Sequence, residues 1–292
     1  MARVELATPA MFDAIYPLLQ ELNPRVSQER WRLLVDYRWR SADEPMGYVL
    51  VEKQNIVGFI GTLVSRRIID GKEVRLCNTT NWVVKEEFRA ESLSLFMAVM
   101  KLRDCTLTNL TSSMKVSALM IKLGFKHLES SVRLLFPVPV LPGLAGRDRP
   151  VFVSDHGAIA ETLRGTDLKI FRDHSGWDCG HLVVQARGEG ADEYCYLVFK
   201  TRRKRVLGRD IHLCHIHYIS NLRLFLRHLS RIRLYFFKTF GLWLLAVDER
   251  LIGHRPVAFS KAHRLRAPRY FRSDVLAADQ IDNLYTELVV GS

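Results

Sequence analysis

The chain has 292 residues, enough for two domains of ordinary size. Hydrophobic residues make up 48% of the sequence and charged residues 25%, which excludes a disordered chain because so much apolar surface offsets the entropy of ordering the backbone. Lysine and arginine number 43 against 31 aspartates and glutamates, a net charge of +12. That excess raises the question of an acidic or phosphorylated partner.

The sequence carries no signal for export or membrane insertion. Residues 1–5 contain no apolar core of a signal peptide, and the best apolar run, residues 239–247, is too short to span a bilayer. The five cysteines, at positions 77, 105, 179, 195 and 214, form no CxxC pair. We therefore expect a cytoplasmic protein with reduced thiols.

The first half contains, in chain order, a strand, two helices, three strands, a helix, a strand, a helix and a final strand. Hydrophobic periodicity gives these bounds: strand 4–6, helices 11–22 and 28–37, strands 48–52, 57–69 and 74–84, helix 92–101, strand 106–110, helix 116–122 and strand 131–136. Asp70-Gly71 predicts a hairpin turn between the second and third of the three consecutive strands.

The second half repeats the first. Four prolines between Pro137 and Pro150 predict a linker. At an offset of 137 residues, Gly71–Cys77 aligns with Gly208–Cys214, identical or similar at all positions but one. This similarity predicts a duplicated domain, with residues 1–136 and 151–292 on either side of a linker at 137–150.

The order of elements resembles the GNAT acyltransferase family, and local motifs agree. In that family the fourth strand ends in a Val, followed five residues later by R/Q-x-x-G-x-G/A at a helix start. Val84 is followed here by Arg89, Ser92 and Ser94 at the matching positions. In such a turn, small residues let backbone N–H groups approach a pyrophosphate. The resemblance implies a mixed α+β fold of two tandem GNAT-like domains, each a mostly antiparallel twisted sheet flanked by helices.

A second family motif is an Asn followed by a helix ending in K-x-G-F. Ser113 stands at the Asn position, where the family contacts the pantetheine arm or caps the helix, and Met120 stands where a Tyr often protonates the departing thiolate. Methionine has no proton to give. The resemblance implies that acetyl-CoA or a longer acyl-CoA, or an acyl carrier protein, is bound without a metal. The implied binding residues are Trp82, Val83, Val84, Arg89, Ala90, Glu91, Ser92, Leu93, Ser94 and Ser113.

The second half lacks the cofactor motif. Leu226, Leu229 and Arg231 stand where the first half has the motif's Arg and two serines. We therefore expect a degenerate domain that does not cradle CoA. Its expected role is to complete the site for the acyl acceptor.

Polar residues are unusually frequent in the predicted fourth strand. Strict alternation places Cys77 and Asn81 on one face and Asn78 and Trp82 on the other. So much polarity in a central strand predicts a wet cleft, with Asn78 and Asn81 as candidate catalytic residues. Structural hydrogen bonding is the alternative.

The matching strand of the second half carries two histidines on one face, His215 and His217. Such a pair supplies a general base at neutral pH, or two ligands of a metal whose third ligand is not evident. Buried structural histidines are the alternative. We expect the amine acceptor to lie near these histidines, Asn78 and Asn81, between the halves.

The basic excess is concentrated in residues 200–272, with 18 lysines and arginines against three acidic residues. Arg223, Arg227 and Arg231 follow one another at the spacing of one helix face. CoA phosphates, an acidic carrier protein, tRNA or an anionic membrane surface all fit such a surface, as does a solvated face with no partner.

These observations together predict an N-acyltransferase that moves an acyl group from acyl-CoA to an amine. Two alternatives stay open. One is a non-catalytic GNAT-like binding module, because the cofactor motif lacks its glycines. The other is a transferase of the Fem type that uses aminoacyl-tRNA, because of the duplication and the basic stretch.

Overall fold

The computed structural model describes residues 2–137, 149–186, 193–206 and 209–291. The chain divides into two compact units. The first comprises Met1–Leu128, Ala267–Gln280 and Tyr285–Ser292, and the second Glu129–Arg266 and Ile281–Leu284. Each domain predicted from the sequence is one continuous stretch of chain. Each observed unit also contains short segments that are distant in sequence. Most of the predicted linker at 137–150 lies outside the described residues.

The elements of the first half occur in the predicted order, although the final strand begins at Lys126 instead of the predicted Ser131. They are β1 (Arg3–Leu6), α1 (Phe12–Leu22), α2 (Gln28–Val35), β2 (Gly47–Glu52), β3 (Asn55–Ile69), β4 (Lys72–Val84), α3 (Ser92–Met100), β5 (Cys105–Asn109), α4 (Met114–Lys122) and β6 (Lys126–Leu135). Helix α2 ends two residues early, and the buried Tyr37 beyond it accepts a hydrogen bond of 2.7 Å from the Val64 amide through its hydroxyl.

The second half contains β7 (Val151–Val153), α5 (His156–Thr162), α6 (Gly165–His174), β8 (Gly180–Gln185), β9 (Tyr194–Val206), β10 (Arg209–Ile219), α7 (Leu222–Arg227), α8 (Leu229–Phe240), β11 (Leu244–Asp248), β12 (Ser260–Arg272) and α9 (Glu287–Val290). In the described ranges, no helix has both the length and the apolar character needed to cross a bilayer.

The sheet of the first unit has the strand order β1-β2-β3-β4-β5-β12, with β12 contributing its last residues. Neighbouring strands are antiparallel except β4 and β5, which are parallel. The apolar residues of this sheet pack against α3 in a core that includes Leu50, Ile60, Phe96 and Tyr270. A short 3-10 helix, Glu86–Glu91, connects β4 to α3.

The sheet of the second unit has the order β7-β8-β9-β10-β11-β6, where β6 contributes the residues from Glu129 onward. Its parallel pair is β10 with β11, at the same place in the order as β4 with β5. This correspondence supports the duplication inferred from the sequence. Each unit receives its sixth strand from the other half of the sequence, β12 in the first unit and β6 in the second.

Strand β4 contains a bulge that changes which residues face the core. The pairing with β3 shifts between Phe59 and Gly61, and Asn81 has a left-handed φ of 52°. Trp82 therefore packs in the same core cluster as Cys77, although strict alternation predicted opposite faces. That prediction was wrong because a bulge adds one residue to the strand and reverses the alternation beyond it.

Candidate functional site

Strands β4 and β5 part at their carboxyl ends. Their backbone pairing is confined to residues Arg75–Asn78 of β4 and Cys105–Thr108 of β5. Beyond that point β4 continues to Val84 along β3, while β5 ends at Asn109. Backbone pairing between the two strands therefore ends after Asn78 and Thr108. This interruption of the ladder, called the opening from here on, lies at the carboxyl ends of a parallel pair, the place where ligands bind in many open α/β sheets.

Buried polar side chains lie at this opening. The Thr108 hydroxyl donates to Asn78 Oδ1 over 3.1 Å, and Asn109 Nδ2 donates to the Thr79 hydroxyl over 3.0 Å. All four side chains are buried. A buried polar group costs free energy unless it is hydrogen-bonded, so these bonds stabilise a polar wall inside the sheet.

A carboxylate from the last helix joins this wall. Glu287, at the start of α9, accepts a hydrogen bond from Asn78 Nδ2 and another, of 2.7 Å, from the Thr111 hydroxyl. Burial raises the pKa of Glu287 above its usual value, although both hydrogen bonds oppose that shift by stabilising the charged form. The opening therefore contains a carboxylate that is oriented and more basic than an ordinary glutamate.

Three polar atoms, one on β5, one on the segment after it and one on α4, have no hydrogen-bond partner among the described residues. They are Asn109 Oδ1, Ser112 Oγ and Ser117 Oγ, and all are buried. Buried polar atoms rarely remain unpaired in native proteins. A pantetheine arm, with its two amides and its hydroxyl, has the hydrogen-bonding groups to pair with them, so these residues fit that part of an acyl-CoA.

The predicted phosphate-binding turn is helical. Glu86–Glu91 form a 3-10 helix that continues directly into α3. The Ser92 amide donates to the Arg89 carbonyl, and the Ser94 hydroxyl donates to the Glu91 carbonyl over 2.6 Å. An amide that is already bonded within a helix is not available to a phosphate.

The charges around this turn also oppose a diphosphate. Arg89 is 71% exposed and forms an ion pair of 3.4 Å with Glu86, and Glu87 lies in the same first turn. The Glu91 carboxylate accepts a hydrogen bond from the Ala2 amide. The first unit therefore fits a pantetheine arm better than it fits the diphosphate of CoA.

The other predicted binding residues have different surroundings. Trp82 stacks on Phe96 with ring centroids 5.1 Å apart. Ser113 occupies the cap position of α4 without making a side-chain cap bond. Val83 and Val84 are half-buried at the end of β4, whereas Ala90 and Leu93 are exposed.

The second unit has a similar opening. Residues Leu213–Ile216 of β10 pair with Leu244–Val247 of β11. Strand β10 then continues past a bulge to Ile219. His215 Nε2 lies 2.9 Å from Asp248 Oδ1, and the His215 ring stacks on His217 at 4.4 Å. A histidine held by a carboxylate in this way is oriented for proton transfer or for an ion pair.

Asp248 is fully buried and has several partners. Its Oδ2 accepts hydrogen bonds from Arg250 Nη1 and, over 2.8 Å, from Asn283 Nδ2. The Arg250 amide in turn donates to the Glu129 carboxylate over 3.0 Å. In the described ranges, no three His, Cys, Asp or Glu side chains form a cluster that could hold a metal ion.

The four predicted catalytic residues belong to two units. Asn78 and Asn81 lie in the first unit, and His215 and His217 lie in the second. The sequence analysis did not identify Glu287 or Asp248. At the offset of the repeat, Asp248 corresponds to Thr111 and His215 to Asn78, but this correspondence has a meaning only once the contact of Thr111 with Glu287 is known. Nothing in the sequence connects Glu287 to β4.

The predicted basic helix face is interrupted. Helices α7 and α8 are separated at His228, so Arg231 does not continue the same helix as Arg223 and Arg227. Both of those arginines form ion pairs with Glu193, at 3.0 and 4.0 Å. Part of the basic excess is therefore neutralised within the unit.

The sequence matches no family model and no curated protein. The fold does match solved structures. A GCN5-related N-acetyltransferase from Kribbella flavida superimposes with a TM-score of 0.56 at 13% identity, over 93% of this chain and 72% of the other. One from Anabaena variabilis gives 0.55 at 13% identity over the same shares. A provisionally assigned acetyltransferase from Pyrococcus horikoshii gives 0.52 at 13% identity, over 99% of this chain and 96% of the other.

These likenesses define the fold. The chain has the fold of the GCN5-related N-acetyltransferases, as the order of its predicted elements indicated. At such low identity, what the protein does must be argued from its own residues.

Proposed function

We propose that this protein is an N-acyltransferase that moves an acyl group from a pantetheine thioester to an amine. The donor would be acetyl-CoA, a longer acyl-CoA or an acylated carrier protein. The observation that carries the proposal is the carboxylate of Glu287, held by Asn78 and Thr111 where β4 and β5 part. The unpaired polar atoms near the end of β5 support the donor assignment.

Acyl transfer to an amine needs a base, because the amine is protonated at neutral pH and attacks only after losing its proton. Glu287 is suited to take that proton, since its raised pKa brings it closer to the working pH. The thioester supplies the activated acyl group. The β4 bulge at Asn81 leaves an extra residue outside the regular pairing with β3. A backbone N–H at that point would stabilise a developing oxyanion.

The departing thiolate receives no proton from residue 120, the position where the resembling family often has a Tyr. Met120 is fully buried in the core, and a thioether has no proton to give. We propose that the thiol leaves as the thiolate and takes its proton from solvent. His215 with Asp248 is a second candidate base, which belongs to the second unit.

The direct test is a transfer assay that detects released thiol, with acetyl-CoA, longer acyl-CoAs and acylated carrier protein as donors and a panel of amines. Isothermal titration of the same donors measures binding alone. Transfer that depends on Glu287 supports the proposal. The proposal would be refuted if acyl-CoA did not bind at millimolar concentration and acylated carrier protein neither bound nor donated its acyl group. We place the reaction in the cytoplasm, where thiols stay reduced.

The basic residues support a second candidate, a transferase that takes its acyl group from aminoacyl-tRNA. Lys261, Arg264 and Arg266 are exposed on β12. Binding to tRNA would then weaken steeply with salt, and charge reversal at Arg264 and Arg266 would abolish it. Retention of binding in that variant would argue against tRNA. A purely binding module, the third alternative, predicts donor binding without turnover.

A further inference from the structure

A cavity of about 480 Å³ lies in the first unit at the other end of the parallel pair, beside the amino ends of β4 and β5. Its walls include Lys72, Arg75, Arg103, Cys105 and Arg272. The volume is that of a small-molecule site. The proposed acyl transfer uses none of these residues.

Cys105 is a half-buried thiol in the wall of this cavity and packs against the core cluster that contains the fully buried Cys77. Its own thiol donates to the Thr106 carbonyl over 3.8 Å. Interaction with the Cys77 thiol lowers the pKa of Cys105 below its usual value, burial opposes that shift, and the Arg75 guanidinium adds to it. The same contact and burial raise the pKa of Cys77. The more accessible thiol of the pair is thus the one that ionises.

The charges of the cavity are mixed. Three acidic residues, Glu73, Asp104 and Asp274, accompany the four cations of its lining. Arg75 is already bound to Glu44, and Arg66 pairs with Glu73 at 3.6 Å. What remains is a nearly balanced set of positive and negative groups. Such a lining suits a zwitterion, which carries carboxylates and an ammonium group, better than a simple anion.

We propose that Cys105 is a site of reversible S-thiolation by a zwitterionic, amino-acid-derived disulfide of the glutathione class that binds in this cavity. The Cys105 thiolate attacks one sulfur of the disulfide, and the disulfide bond breaks as the new one forms. The other half leaves as a thiolate and takes up a proton. The incoming disulfide is the only oxidant required.

Strand geometry favours a lasting adduct over a bond between the two cysteines. Cys77 pairs in register with Leu107, two residues beyond Cys105 on β5. With strands about 4.8 Å apart and a rise of about 3.3 Å per residue, the Cα atoms of Cys77 and Cys105 are about 8 Å apart. Cysteines separated by more than about 7 Å are not bridged without backbone movement. Cys77 therefore does not expel the bound half.

Cys179 provides a matched control. It is also half-buried, but burial raises its pKa to about 12, whereas the pKa of Cys105 is lowered. When both thiols have a pKa above the ambient pH, the larger thiolate fraction of the more acidic thiol outweighs its lower nucleophilicity. We therefore expect Cys105 to react at least about tenfold faster than Cys179.

The experiment exposes the full-length protein to glutathione disulfide near pH 7.5 and follows the intact mass and the modified peptide. We expect one adduct, at Cys105, removed by dithiothreitol, absent in Cys105→Ser and Cys105→Ala, and retained in Cys179→Ser. Circular dichroism establishes that the variants are folded. Equal rates at Cys105 and Cys179, or an unchanged adduct in a folded Cys105→Ala variant, would overturn the proposal.

A second disulfide tests recognition by the cavity. Hydroxyethyl disulfide has no charge, so its reaction reports the reactivity of Cys105 alone. Removing two cations in the double variant Arg103→Ala and Arg272→Ala should slow the glutathione reaction about fivefold, given the modest strength of exposed ion pairs, and leave the hydroxyethyl reaction unchanged. If both reactions respond alike, the cavity does not recognise the zwitterion and the binding part of the proposal fails.

Discussion

The side-chain amide of Asn78 donates a hydrogen bond to the carboxylate of Glu287, which follows it by 209 residues in the chain. The bond lies where β4 and β5 part, in the first unit. It connects a strand that opens the sheet to a helix at the other end of the sequence. Its geometry fixes the carboxylate at the opening, which is what a general base requires.

Removing the charge of Glu287 should slow the reaction without weakening donor binding. Glu287→Gln keeps the shape and the hydrogen bond with Asn78 but cannot accept a proton. We expect kcat to fall about 100-fold or more, the usual contribution of a general base, with an unchanged dissociation constant for acyl-CoA by titration. The exposed Glu21→Gln on α1 is the control. Full activity of Glu287→Gln with loss in His215→Gln would move the base to the second unit.

The pH dependence of the reaction should follow Glu287. The carboxylate must be deprotonated to act, so kcat/KM should fall as the pH drops through its raised pKa. Thr111→Val removes a hydrogen bond that stabilises the charged form. The pKa of Glu287 should then rise further, and the acid side of the pH–rate profile should move to higher pH. A profile that Thr111→Val leaves unchanged would argue against Glu287.

The protein should recognise an acyl-CoA donor mainly through the pantetheine arm. The turn before α3 is helical and surrounded by carboxylates, whereas the unpaired polar atoms lie near β5 and α4. We expect acetyl-pantetheine to be used with kcat/KM within about tenfold of acetyl-CoA, since the absent diphosphate would contribute about one hydrogen bond to a charged group. Arg89→Glu should change this ratio little. A loss of several orders of magnitude with acetyl-pantetheine would show that the turn does bind the diphosphate.

Periodicity predicted the elements of the first half because each one depends on nearby residues. The segment Arg89 to Ser94, predicted to bind the cofactor, is helical in the structure, and this conformation was not foreseen, since serines favour no special φ there. The bulge at Asn81 was not predicted, because the alternation of side chains assumes a strand without an inserted residue. The exchange of β6 and β12, and with it the approach of Glu287 to Asn78, depends on contacts between distant segments that carry no local pattern.

Asp248, the carboxylate that holds His215, should contribute strongly to the stability of the second unit. Asp248 is fully buried and also accepts hydrogen bonds from Arg250 and Asn283. Asp248→Asn removes the nearer carboxylate of the buried Arg250 and leaves only the contact of 3.7 Å with Glu129. Breaking a buried pair costs about 3–5 kcal/mol, and we expect a loss toward the lower end of that range. Urea unfolding should show this loss, with the exposed Asp279→Asn as control. A loss below about 1 kcal/mol would mean that the pair is solvated like a surface ion pair.

The second unit should lose stability in mild acid because of His181. This ring is buried against Tyr196, with Nδ1 hydrogen-bonded to its hydroxyl at 2.7 Å. Burial, with smaller effects from His174 and His156, lowers the pKa of His181 to about 3. In the unfolded chain the ring takes up a proton near its ordinary pKa of about 6.5. Below that pH the unfolded state therefore binds one more proton than the folded state.

Proton uptake by the unfolded state lowers the free energy of unfolding by up to about 1.4 kcal/mol per pH unit between about pH 6.5 and pH 3. His181→Asn should be less stable at neutral pH, because it loses ring packing, but its stability should depend less on pH in that range. Urea unfolding at several pH values measures both effects, with the exposed His254→Asn as control. Parallel pH dependences for wild type and His181→Asn would mean that the buried ring is already protonated in the folded protein.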